Sequence, residues 1–480
     1  MHTDKPHLVR GLSLTAATSI NVANMIGTGI FLKSRVMTCN VDSPWLVLAV
    51  WVVAGLLALA GALTFAELAA MMPEAGGEYV FLRNAYGRPW GFLYGWTIFF
   101  VARTGSEAAL ATGSAIFLNI ITGGALARTF FTVNLFGHAI PFGMLQVVAL
   151  GWIVAIAAVN CASVSVGGAA SSVLTGFKLV ALAAIGVGAM ALAYGNWGHL
   201  AMSAAAGTCE AVSPAARGGI AGFGAAMLGA LWAYDGWDNL TPLSGEVRNP
   251  QRNIPLAFIG AMIVVAALYV FVNASYFHVL TPAEIASVPL TSSVATEVAR
   301  RFAGSAAVGL IAVALLASSV GSLHASTMAN SRVPFAMASD GLFFRKLATI
   351  TPHSHVPRNA IIAQATWASV LALSGSYDML TDYVIFASWV LYGLAIASVF
   401  VFRRRMPDAP RPYRTWGYPV VPVLFLIVTA WLLINTLWTG PVQAFTGLGL
   451  MAAGVPFYFY WSRKARTRGL SDFDSQPGAR

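Results

Sequence analysis

The chain has 480 residues, of which 58% are hydrophobic and only 10% are Asp, Glu, Lys or Arg, against roughly 25% charged in a soluble globular domain. That balance excludes a soluble enzyme or scaffold, because so few charges cannot cover a fold of this length. The formal net charge of +10 invites a nucleic-acid partner, but the placement of the charges argues against one.

No charged residue lies between Asp42 and Glu67, between Arg252 and Glu284, or between Arg301 and Arg332. The stretches from Arg128 to Lys178 and from Arg414 to Arg463 are long enough for two membrane crossings each. A bilayer-spanning helix needs about 20 apolar residues, and unpaired backbone groups are not tolerated in hydrocarbon, so the crossings are helical. Taken in chain order the spans fall at about 12–37, 44–72, 86–120, 139–160, 166–194, 218–241, 255–279, 303–332, 358–376, 381–402, 418–438 and 441–462. The expected fold is therefore an all-α integral membrane protein with twelve transmembrane helices. With the N-terminus in the cytoplasm, the outer segments hold only Lys33, Arg35, Arg128, Arg217, Arg300 and Arg301, whereas most of the 28 Lys and Arg lie inside. That is the positive-inside asymmetry. The expected location is the plasma or bacterial inner membrane with both termini cytoplasmic, and the basic balance sets topology rather than nucleic-acid binding.

No cleavable signal peptide is expected, because the short polar start runs directly into the first span. Residues 1–10 read as a cytoplasmic segment, 11–403 as a ten-span transport core, 404–462 as two additional spans, and 463–480 as a disordered cytoplasmic tail. The three cysteines form no metal motif. Cys39 and Cys209 both fall in outer loops, where pairing is permitted; they are read here as two unrelated free thiols, with a disulfide as the alternative.

Two spans have interrupted interiors: the first at Gly27-Thr28-Gly29, the sixth at Tyr234-Asp235-Gly236-Trp237. They lie five spans apart, at matching places in two five-helix halves. Five is odd, so the halves enter the membrane in opposite senses. Paired interruptions of this kind point to an inverted-repeat transporter with its site at the midplane. Glycine permits an unwound backbone at the first break, and the helix resuming at Ile30 presents N–H groups and a positive dipole end to an anion. Unwinding around 232–235 frees carbonyls for an ammonium group. Together these describe the two ends of an α-amino acid.

Lys178 lies about a dozen residues into span five, too deep to snorkel easily, and carries an intramembrane charge that must be compensated. Broken-helix carbonyls are its expected partners. Arg103 and Glu107, at i and i+4 on span three, are expected to pair with each other. Asp238 is read as a cap for the helix resuming after the second break, and Asp235 as facing the pocket, although the sequence does not separate these roles. There is no Gly-Lys phosphate loop, no His-Glu-x-x-His and no Gly-x-Ser-x-Gly elbow. No enzyme activity, cofactor or metal is expected.

At these residues the chain resembles the amino acid–polyamine–organocation superfamily, within it the L-type amino acid transporter branch. The resemblance rests on 24–31 (NMIGTGIF), 65–68 (FAEL) with 73–79 (PEAGGEY), Phe177-Lys178-Leu179, 232–237 (WAYDGW), 246–250 (EVRNP) with Ile254-Pro255, and the 331–341 segment, and it extends from about Arg10 to Arg463. It implies a five-plus-five inverted repeat with helices 1 and 6 broken, two extra helices, and alternating access. It also implies carboxylate contacts on the backbone of Ile26, Gly27, Thr28 and Gly29, and amino-group contacts on the carbonyls of Met25, Trp232, Ala233 and Asp235. The aromatic gate falls on Trp232. Lys178 takes the place of a sodium ion in sodium-coupled relatives and ties span one to span eight. Animal members often carry a glycoprotein heavy chain linked through a cysteine between spans three and four; this sequence has none there, so no disulfide-linked partner is expected. The larger Trp at the gate restricts substrate size, and Asp235, where several relatives have a small residue, leaves cationic substrates open.

The reading is a secondary transporter of neutral L-amino acids, working as an exchanger or a proton-coupled symporter. A carrier of cationic amino acids or polyamines is one alternative, and a non-transporting membrane receptor on the same fold is another.

Overall fold

A computed structural model describes residues 10–466 apart from 136–137, 163, 291, 353 and 375–376. The segments 1–9 and 467–480, which hold most of the expected N-terminal stub and tail, lie outside the described residues.

The chain is mostly helical, and each helix begins or ends for a local reason. Ser13 caps α1 (Leu14–Met25) by accepting the Ala16 N–H. The helix stops because Ile26 turns out of the helical region (φ −78°, ψ 79°), so the Gly27 N–H reaches back to Met25 O at 2.8 Å, an inverse γ-turn. Then α2 (Gly29–Val41) resumes one residue before the expected Ile30. Pro44 opens α3 (Pro44–Met71). The third crossing is composite: α4 (Glu78–Tyr86) precedes α5 (Arg88–Thr97), which passes through a π-helical turn at Ile98–Ala102 into α6 (Arg103–Ile121).

Next come a two-stranded antiparallel hairpin, β1 (Thr129–Leu135) and β2 (His138–Gly143), with Thr129 opposite Gly143 and Leu135 opposite His138, and then α7 (Met144–Ala162), α8 (Val164–Leu192) and α9 (Gly219–Tyr234). They are followed by α10 (Pro250–Val279), the short α11 (Pro282–Ala286), α12 (Val294–Asn330), α13 (Arg332–Ser339), α14 (Arg358–Ser374) and α15 (Tyr377–Arg405). The last three are α16 (Val420–Thr439), α17 (Pro441–Ala452) and α18 (Gly454–Arg466).

Among the described residues, seven helices are long and apolar enough to cross a membrane. Large apolar side chains such as Leu56, Val180, Ile263 and Trp438 stand exposed along their outer faces, as lipid-facing residues do.

Four expectations are corrected. The fold is not all-α, because Thr129–Leu135 and His138–Gly143 pair as antiparallel strands; β-branched and aromatic residues in Thr129-Phe130-Phe131-Thr132-Val133 favour a strand. The fourth crossing consequently begins at Met144 rather than 139. The last crossing is two helices, α17 and α18, divided at Ala453. Cys39 and Cys209 are not free thiols but a disulfide across 170 residues of sequence. The loop bearing Cys209 is held on the end of α2 by Arg35 donating to Glu210 O, Asn40 to Ala216 O and Ser203 to Asp42, which brings the two sulfurs together. Cys161 remains a free thiol.

At the other end of the same crossing, Leu12 pairs in parallel with Val247, its N–H donating to Glu246 O at 3.0 Å. Buried Arg332 forms a two-pronged ion pair with Glu246 (3.1 and 3.4 Å), and Arg83 and Tyr79 both donate to Asp340. Glu67 accepts from Arg403 and from the Thr415 N–H. These contacts tie the chain ends of α3, α4, α12, α13 and α15 into one polar layer.

Candidate substrate site

The two interruptions meet. Gly29 lies so close to α9 that a Cβ built on it would fall 2.5 Å from Ala233 Cα. Gly236, at φ +95°, approaches α1 so that its Cβ would meet Asn24 Cβ at 2.8 Å. Glycine is required at both positions, for contact at the first and for contact and backbone conformation at the second. Gly29→Leu is accordingly expected to abolish amino acid binding while the protein still inserts, and Gly29→Ala to lose most of it; wild-type affinity in Gly29→Leu, measured by titration calorimetry, would remove Gly29 from the site.

The carbonyls freed by the first break are engaged. Lys178, buried on α8, donates to Ala23 O (2.9 Å), Ile26 O (3.0 Å) and Ser322 Oγ (2.7 Å). All three ammonium protons are thereby used. Ser318 and Ser322 of α12 donate to the same two carbonyls, Ser318 to Ile26 O and Ser322 to both. The lysine thus sits where α1, α8 and α12 cross, in a shell of two carbonyls and a hydroxyl. Met25 O accepts from Tyr269 Oη at 2.8 Å, Gly27 N–H is taken by Met25 O, and Thr28 O receives Phe31 N–H and Leu32 N–H. Helix geometry gives the first-turn N–H groups of Gly29 and Ile30 no carbonyl partner within α2.

The second break differs from expectation. Helix α9 ends at Tyr234, the chain turns through 235–240, and it resumes as a 3-10 segment, Thr241–Glu246, rather than an α-helix. The Asp238 side chain therefore caps no α-helix, although its backbone carbonyl accepts the Thr241 N–H at the start of the 3-10 segment (2.8 Å). Trp232 O accepts the Asp235 N–H at 3.1 Å, and Ala233 O accepts from Tyr269 Oη at 2.9 Å.

Arg103 and Glu107 do not pair. The guanidinium of Arg103 donates to Asp235 (3.0 Å) and Asp238, and also to Tyr392 Oη (2.9 Å), which lies 2.9 Å from Asp235 Oδ1 and 3.0 Å from Asp238 Oδ1. All four groups are buried. The π-helical turn ending at Ala102 breaks the regular i, i+4 spacing immediately before Arg103, a distortion that often re-aims side chains at functional sites. Glu107 instead accepts from Gln364 of α14. A third carboxylate, Glu78, joins the network through Thr241 (2.6 Å) and also accepts from Tyr94 (3.0 Å).

Several residues in this arrangement carried no readable signal. Tyr269 is one tyrosine in an apolar run, and Tyr392 another. Ser318 and Ser322 were findable in principle, since small polar residues four apart on a membrane helix line one face.

The amino acid permease family profile matches residues 12–460. The chain is 31% identical over 464 residues to the serine/threonine exchanger SteT of Bacillus subtilis, covering 96% of this chain and 98% of that one. It is 29% identical to the human b(0,+)-type amino acid transporter 1 (94% and 88% covered) and 29% identical to the human large neutral amino acids transporter small subunit 2 (97% and 83% covered). A match over nearly the whole length, to transporters throughout, identifies a non-enzymatic amino acid transporter of the membrane: the chain belongs to the amino acid permease family.

Proposed function

We propose that this permease moves neutral L-amino acids by alternating access, as an exchanger or a proton-coupled symporter. The substrate carboxylate lies against the backbone of Ile26, Gly27, Thr28 and Gly29, and its amino group faces the carbonyls of Met25, Trp232, Ala233 and Asp235. Trp232 is the lid. Joining α1 with α2, α5 with α6, α9 with the segment after it, and α17 with α18 gives twelve crossings, arranged as a five-plus-five inverted repeat with two additional helices. Both termini lie in the cytoplasm, a reading supported by the cystine at the opposite end of the first crossing, since disulfides persist on the outer, oxidising face. No disulfide-linked heavy chain and no cofactor take part.

One observation carries the choice of neutral over cationic substrates. The Asp235 carboxylate already accepts from Arg103, with Tyr392 beside it. A cationic substrate side chain would have to displace a buried guanidinium from two carboxylates, and breaking a buried pair is strongly unfavourable. The similarity to a serine/threonine exchanger agrees with a small neutral cargo. Uptake and counterflow by purified protein in liposomes, with and without a pH gradient, test the reading. Neutral amino acids should exchange, arginine and polyamines should not, and an amino acid methyl ester should compete poorly. Arginine uptake matching that of serine would overturn the neutral assignment, and equal competition by the ester would overturn the carboxylate site.

A further inference from the structure

Tyr269 is placed where two acceptors from different helices converge. Its ring is fully buried on α10 and held edge-on by Trp51 (centroids 5.3 Å) and against Tyr234 (5.0 Å). Its hydroxyl lies 2.8 Å from Met25 O, at the end of α1, and 2.9 Å from Ala233 O, near the end of α9. A phenol has one proton and can donate fully to only one carbonyl at a time. The point between them is therefore acceptor-rich, better matched to a donor with several protons.

We infer that the Tyr269 hydroxyl is a built-in competitor for the substrate's ammonium group, occupying the Met25 and Ala233 carbonyls until a primary ammonium displaces it. The inference rests on the proposed position of the amino group. An ammonium nitrogen and a phenol oxygen cannot occupy the same point, so binding requires the tyrosine to yield. The exchange is favourable for an ammonium, which brings three protons and a charge to two carbonyls, and charge-assisted hydrogen bonds are roughly twice as strong as neutral ones. It offers nothing to a ligand with only one hydroxyl at that position, because one neutral donor replaces another. Tyr269 thus lowers the affinity for the amino acid by the strength of the hydrogen bond that its hydroxyl must give up. While it is seated, it also joins the ends of α1 and α9 through α10, keeping both breaks closed when the carrier turns over without cargo.

The test compares L-serine with 3-hydroxypropanoate, which is serine without its amino group, in wild type and Tyr269→Phe. Removing the hydroxyl withdraws the one donor it shares between Met25 O and Ala233 O, so L-serine no longer has a competitor to displace and should bind about tenfold more tightly in the variant, the size expected for one buried hydrogen bond. Affinity for 3-hydroxypropanoate should stay unchanged, and efflux into amino-acid-free buffer should slow relative to exchange. Equal weakening of both ligands would mean that Tyr269 only supports the helices, and weakening of L-serine alone would make it an ammonium partner; either overturns the inference. Should Tyr269→Phe not give monodisperse protein, Tyr269→Met, of similar bulk and without a donor, takes its place with the same expected results. A wild-type protein that binds L-serine no better than 3-hydroxypropanoate would instead overturn the amino-group site itself.

Discussion

Lys178→Ala is expected to retain amino acid binding yet transport about ten- to a hundredfold more slowly than wild type. The ammonium joins Ala23 O and Ile26 O of the first break to Ser322 of α12. Its loss leaves buried carbonyls without their strongest donor, at roughly 1–3 kcal/mol, and each 1.4 kcal/mol is a factor of ten in rate. The penalty falls on the arrangement in which α1, α8 and α12 are locked together, so reorientation suffers rather than substrate contact. Lys178→Met, which restores the bulk without the charge, should be as slow as alanine, separating the ammonium from packing. Because a cation already occupies the carbonyl shell, sodium should have no effect on the wild type. Counterflow rates beside equilibrium binding give the decision: unchanged transport in Lys178→Ala, or a steep sodium requirement, removes the residue from the mechanism.

The second large effect is expected at Arg103. Arg103→Leu strands Asp235 and Asp238 in the core without their guanidinium, and breaking a buried ion pair from one side costs about 3–5 kcal/mol. That approaches the whole stability of many folds, so folded yield should collapse. The triple variant Arg103→Leu/Asp235→Asn/Asp238→Asn removes all three charges together and should recover much of the yield, since replacing a buried charged set by neutral groups is often close to neutral. Size-exclusion profiles in detergent report the outcome. A well-folded Arg103→Leu single variant would show that the carboxylates do not need this partner.

How much of this was legible depended on whether a feature was local. The membrane class follows from charge-free stretches, and the first break from adjacent glycines. Lys178 stood out because a lone charge in a span demands a partner. The partners of Arg103 did not stand out. The i, i+4 spacing to Glu107 is the neighbour that sequence offers, whereas Asp235 and Asp238 lie more than a hundred residues away and become neighbours only when α6 crosses the second break. The cystine escaped for the same reason, since its geometry is set by a loop folding over α2. The hairpin was hidden inside a stretch read as loop and the start of a span. Tyr269 is the clearest case: its type and setting are ordinary, and its role lies entirely in which two carbonyls it reaches.

The cystine also has a mechanical consequence. Beyond the bond itself, Gly218 N–H donates to Asn40 O, and a Cβ on Gly222 would fall 2.2 Å from that same oxygen. This end of α2, the loop carrying Cys209 and the first turn of α9 are therefore riveted together by the cystine, by these contacts and by the hydrogen bonds of Arg35, Asn40 and Ser203. A hinge at Gly27 cannot swing the outer half of the first crossing alone; it must carry the beginning of the sixth with it. In the proposed alternating-access cycle, the gate at this end would open as one stiff leaf rather than two independent petals, and cargo held between the breaks would pull on both arms at once. Reduction would loosen the rivet while leaving the leaf's hydrogen bonds in place, so gating should become less cooperative before it is lost.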